Sequence, residues 1–143
     1  MSVKPIPSDH PVLPRHPKTG IMLVNLGTPD GTDYRSMRRY LDQFLSDQRV
    51  VEAPRWLWWL ILNGIILNTR PQKSGKAYDR VWLKDEPDGS PLRKFTRLQA
   101  EYVTDELKDA VAGDRACVTW AMRYGNPSIC LLYTSDAADE GLG

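Results

Sequence analysis

Gly20-Ile-Met-Leu-Val-Asn-Leu26, running straight into Gly27-Thr28-Pro29, is the stretch whose reading decides the fold. A short apolar run without alternation, ended by turn chemistry, reads as a buried parallel strand and its exit. Asp30 or Thr32 then offers an N-cap for a helix. In that helix Met37, Tyr40, Leu41, Phe44 and Leu45 recur at helical spacing, with Arg35, Arg38, Arg39 and Asp42 on the other side. Further on, a helix is expected from Ser74 to about Leu83, with Ala77, Tyr78, Val81 and Trp82 on one face. The segment DEPDGSP (85–91) is loop chemistry. Leu92 to Val111 reads as a long amphipathic helix using Leu98, Tyr102, Leu107 and Val111, closed by Gly113 and Asp114. Ala116 to Met122 is the second strand candidate. Strands alternating with helices imply an α/β protein with a parallel sheet. Two strands alone do not make a stable sheet covered on both faces, so the domain is expected to be incomplete.

The composition agrees with a soluble globular chain: 143 residues, 41% hydrophobic and 26% charged. Residues 1–19 are rich in Pro, His and Lys without periodicity and read as a disordered leader; His10 and His16 fall there and are assigned no role. The first twenty residues hold no signal-type apolar run, and no stretch reaches the ~18 apolar residues of a membrane span. Cys117 and Cys130 lack metal-ligand spacing and a disulfide-rich context, which makes a reducing, cytoplasmic setting the default. The net charge is +1, yet Asp136, Asp139 and Glu140 all lie in a tail without Lys or Arg. Without those three of the 18 acids, 19 bases face 15 acids and the body is mildly basic at +4. That tail is itself anomalous. CLLYTSDAADE (130–140) resembles the translation of a transposon end and adaptor used in sequencing libraries. Residues 130–143 are therefore expected to be non-native, with the natural chain continuing past Ile129.

Chemistry is sought first at the carboxyl ends of the strands, where open α/β sheets bind ligands. Those ends are Leu26-Gly27-Thr28 and Met122-Arg123-Tyr124. The first turn, GTPDG, lacks the glycine-rich phosphate-loop patterns, so a nucleotide site is unsupported and a structural turn is the expectation there. Arg123 beside Tyr124 would suit a flat anionic ligand by ion pairing and stacking, although surface Arg-Tyr pairs are common. The other anomaly is WLWWLILNGIIL (56–67), begun by Pro54 and expected to end at Pro71. As a helix it would span ~20 Å, short of a ~30 Å bilayer core. A buried core helix is what a generic sequence would make of it. An apolar lip around a pocket, or an interfacial anchor, is favoured by the three rings of Trp56, Trp58 and Trp59, too many for one side.

LVNLGTP (23–29), RPQKSGKAY (70–78), GSPL (89–92) and AMRYGNPSI (121–129), in that order across residues 20–129, resemble the ferrochelatase family. The resemblance implies a partial Rossmann-like, chelatase-type domain from an enzyme that inserts Fe²⁺, as substrate, into a porphyrin. It implies that Leu26 forms a wall of the porphyrin pocket and that Arg70, Tyr78 and Ser90 contact the macrocycle. Arg123 and Tyr124 would stand near the metal side, and Trp56, Trp58, Trp59 and Leu60 would belong to a lip facing a membrane surface. It further implies a cytoplasmic protein, peripheral at the inner face of the membrane, with no nucleic-acid partner and no cofactor in this stretch. The family's catalytic histidine, in an H-S-x-P-type strand, and its later glutamate have no counterpart here, nor does its second Rossmann-like domain. No catalytic or metal-ligating residue is therefore assigned, and the chain is expected to lack chelatase activity. Three other readings stay open: a non-catalytic porphyrin-binding module, a membrane-surface segment, and a nucleotide-binding domain.

Overall fold

The computed structural model of the chain describes residues 19–110 and 116–131. The elements are β1 (Thr19–Gly27), α1 (Tyr34–Leu45), α2 (Arg55–Ile61), a π-helical turn (Leu62–Ile66), α3 (Leu67–Asp79), α4 (Pro91–Ala110) and β2 (Ala116–Tyr124). The expected leader lies outside the described residues except for Thr19, which already belongs to β1. Most of the expected foreign tail and the Gly113-Asp114 stop also lie outside them.

β1 and β2 pair in parallel, in register from Thr19↔Ala116 to Gly27↔Tyr124, so both carboxyl ends open on the same side. One face of this two-stranded sheet lies against α4, where the Asn25 amide donates to Thr96 Oγ1 at 3.1 Å. Small residues make that approach close: Thr96 and Ala100 are the buried positions of α4, while Leu98 and Tyr102 stay exposed. The helix therefore exists as expected, but the face it buries is offset from the expected one. The opposite sheet face presents Met22, Val24 and Leu26 to solvent.

α1 buries Met37 and Tyr40 as its spacing predicts. Its N-cap is Asp33, whose Oδ1 accepts from the amides of Arg35 (2.9 Å) and Ser36 (3.1 Å). Asp30 is otherwise engaged, with Arg93 at 3.0 Å and Asn126 at 2.9 Å. Thr32 precedes the cap, and its carbonyl backs onto Gly75 of α3, where any side chain would collide.

The middle of the chain departs most from expectation. Pro71 does not end the apolar segment: it sits buried inside α3, which runs to Asp79 rather than starting at Ser74 and reaching Leu83. A proline inside a helix leaves the carbonyl four residues earlier without its amide donor. Here that carbonyl is Leu67 O, and it accepts instead from Arg38 Nη1 (2.7 Å) and Tyr34 Oη (3.2 Å) on α1. Tertiary donors thus carry the helix through the proline. Nor is the apolar segment a core helix throughout: no residue of α2 is buried, and only Leu62 and Leu67 of residues 56–67 reach the core.

Candidate functional site

Two glycines let the strand ends meet. Gly27 has φ +122° and Gly125 φ +86°; a side chain at 27 would strike the Tyr124 backbone, and one at 125 the Thr28 carbonyl. Only glycine takes these angles and contacts at little cost. Beyond the joined ends lies a cleft of about 750 Å³, bordered by the exit of β1, by α1 and its following turn, and by the exit of β2.

Arg123 and Tyr124 both border the cleft, together with a carboxylate the sequence reading missed, Asp47. Asp47 Oδ2 accepts from Arg123 Nη2 and from the Tyr124 hydroxyl, each at 2.7 Å. Arg123 Nε in turn donates to the Tyr124 hydroxyl at 2.9 Å, closing a triangle. The Tyr124 hydroxyl first, and Arg123 second, hold the Asp47 carboxyl well below the usual carboxylate range. The same carboxylate pushes the Tyr124 phenol and the Arg123 guanidinium up, which keeps one neutral and the other charged.

The stacking surface expected of Tyr124 is not on offer. The residue is only 4% exposed, Phe44 packs edge-on against its ring at 5.2 Å, and the guanidinium of Arg123 lies 5.3 Å from the ring centre. The groups left for a ligand are polar: the Arg123 head group and the neighbouring Arg39, Gln43 and Asn126.

The other sequence-predicted residues lie elsewhere. Arg70 is exposed at the edge of a second, apolar pocket of about 270 Å³ with Leu41, Phe44, Leu45, Trp58 and Ile66. Phe44 lines this pocket and packs edge-on against Tyr124, which borders the cleft. Tyr78 is half-buried, edge-on to Tyr40 at 6.4 Å. Ser90 is buried, accepting from the Thr28 hydroxyl at 2.8 Å, so it ties the loop before α4 to the exit of β1. Leu26 stands 53% exposed on the uncovered sheet face and borders neither pocket. Of the lip residues, Trp56 (70%), Trp59 (63%) and Leu60 (53%) are exposed, whereas Trp58 turns inward and donates to the Leu45 carbonyl at 2.7 Å. No helix among the described residues is long and apolar enough to cross a membrane. Among those same residues, no group of His, Cys, Asp and Glu is placed to hold a metal ion.

Two parallel strands whose joined ends open on an Arg-Tyr-Asp cleft, flanked by helices, make a partial α/β domain of the chelatase type. The family model for ferrochelatase matches residues 18–140, and the chain belongs to that family. Its matched range includes most of the segment expected to be foreign. The chain is 58% identical over 123 residues to the ferrochelatase of Rhizobium johnstonii, covering 86% of this chain and 34% of that protein. It is 56% identical over 123 residues to that of Rhizobium etli, with the same coverage. With the ferrochelatase of Brucella anthropi it shares 58% over 113 residues, 79% of this chain and 31% of the relative. The chain thus spans about a third of the length of the curated relatives it matches.

Proposed function

We propose that the chain is the amino-terminal, porphyrin-gripping part of a ferrochelatase, and that residues 1–143 alone do not insert iron. The observation that carries this reading is the cleft and pocket together: Phe44 packs against Tyr124 of the Asp47-Arg123-Tyr124 cluster and lines the pocket with Arg70 and Trp58. A porphyrin is a flat apolar macrocycle with anionic propionates, and apolar walls with arginines at the margin match it. Iron insertion also requires a base to take the pyrrole N–H protons. Asp47, held below the carboxylate range by two donors, is a weak proton acceptor. Asp30 is occupied by Arg93 and Asn126. By the family resemblance, the catalytic His and Glu would fall in the two thirds of the relatives' length that this chain does not span.

The test is a titration of the purified chain with protoporphyrin IX, followed by anaerobic Fe²⁺. Saturable porphyrin binding without haem formation is the expected result. Iron insertion above a no-protein control would overturn the inactive-fragment reading. The non-native tail is tested separately, by reading the source DNA past the Ile129 codon. Continuation into an H-S-x-P-type strand supports it, and a genomic CLLYTSDAADEGLG followed by a stop removes it.

Exposure of Trp56 and Trp59 favours a second role for the same chain, peripheral docking to the cytoplasmic face of a membrane. Because Trp58 is turned inward, the informative variant is Trp56→Glu with Trp59→Glu. It is expected to lose sedimentation with anionic vesicles that the wild-type chain retains without porphyrin. Equal sedimentation of both would sink the docking role.

A further inference from the structure

We infer that Asp47 is a positioning residue for the Arg123-Tyr124 pair, holding the Arg123 head group and the Tyr124 hydroxyl in the one arrangement the cleft uses. This rests on the porphyrin-gripping reading above. The cluster is not a buried structural ion pair: the side chains of Arg123 and Asp47 are 39% and 25% exposed, and all three residues border the cleft. An arginine on an open surface samples many rotamers, and a ligand that needs one of them must order it. Here the ordering is already done. Arg123 is fixed through Nε and Nη2, while Nη1 has no protein partner among the described residues. The Tyr124 hydroxyl is both donor and acceptor within the triangle, so its rotor is set as well.

Asp47 is itself held from behind, which makes it the anchor rather than the anchored. It follows Ser46, the C-cap of α1, and its own turn closes on it. Its Oδ1 accepts from the Arg49 amide at 2.8 Å, and its carbonyl accepts from the amides of Val50 (3.0 Å) and Val51 (3.1 Å). The carboxylate therefore reaches β2 from a backbone fixed by α1, across 76 residues of sequence. Charge-assisted hydrogen bonds of this kind are strong and directional, so loss of the charge releases both partners.

The experiment is a double-mutant cycle on protoporphyrin IX affinity in the 143-residue chain, read by porphyrin fluorescence, with Asp47→Asn and Tyr124→Phe. Each single variant is expected to bind about tenfold more weakly, and the double variant no more weakly than either, because both break the same triangle. Additive losses would overturn the inference, since two independent contacts behave that way. A second readout follows the Arg123 Nε–H signal by NMR, expected to be slowly exchanging in the wild type and lost in Asp47→Asn. If the wild-type chain binds no porphyrin, the porphyrin reading falls, and the NMR signal alone decides: its survival in Asp47→Asn overturns the positioning role. Should Asp47→Asn fail to fold, Tyr124→Phe carries the test, because it keeps the ring on Phe44 and removes only the hydroxyl. An unchanged Nε–H signal in that variant would again count against the triangle.

Discussion

At the scale of single residues, Asp47 accepts two donors at 2.7 Å, the Tyr124 hydroxyl and the Arg123 guanidinium, and the hydroxyl does most to lower its pKa. A carboxyl whose folded pKa lies below its unfolded value of ~3.9 adds stability above that value and loses it as the pH falls toward the folded pKa. The stability difference between wild type and Asp47→Asn is thus expected to be constant above about pH 5 and to shrink steadily below about pH 4. Urea unfolding of both chains at pH 6, 4 and 3 checks this; a difference unchanged across that range would refute it. Because Asp47 is solvent-accessible, added salt is expected to narrow the difference too. Neither the acid nor its role was legible in the sequence. Arg123 and Tyr124 were found because they follow a strand, but Asp47 sits in a turn with no local signal, its partners more than seventy residues away. Gly27 was legible as a turn residue and Gly125 was not, and the backbone each must clear lies on the other strand's exit.

At the scale of elements, periodicity located α1 and α4, because an apolar face leaves a repeat in the sequence, whereas the strands showed as short apolar runs. Pro71 misled the reading for the complementary reason. The rule that proline ends a helix assumes that the stranded carbonyl finds no other donor, and α1 supplies two. The sharp consequence concerns Arg38. Truncation of Arg38 to Ala is expected to cost about 1–2 kcal/mol, more than an exposed arginine usually does, because it strips a donor from the Leu67 carbonyl. In a Pro71→Ala background, where the helix regains its own amide, that cost is expected to fall by at least half. Thermal or urea unfolding of the four chains measures it, and equal costs in both backgrounds would show that Arg38 acts elsewhere. The offset face of α4 has a similar origin. The repeat announces an apolar stripe, but the positions that touch the sheet are Thr96 and Ala100, small enough to let the helix approach.

At the scale of the molecule, the dominant feature is apolar surface without cover: Met22, Val24 and Leu26 on β1, and Phe95 and Tyr102 on α4. Exposed apolar side chains on both the open sheet face and α4 favour association, and a two-stranded sheet leaves strand edges that invite pairing. The 143-residue chain is expected to take up an apolar-surface dye and to self-associate at micromolar concentration, both reduced by Val24→Lys with Phe95→Lys. Sedimentation velocity showing a monomer that binds no dye would count against this. The sequence by itself determined the class of the chain, α/β with parallel strands, and the family it resembles. Those depend on local propensity, on periodicity and on short motifs, all written along the chain. Only the tertiary structure decided that Tyr124 offers a hydroxyl rather than a ring, that Trp58 turns in while Trp56 and Trp59 face out, and that Asp47 completes the cluster. The reason is physical: exposure and hydrogen-bond partnership are settled between segments far apart in sequence, whose approach no local pattern encodes.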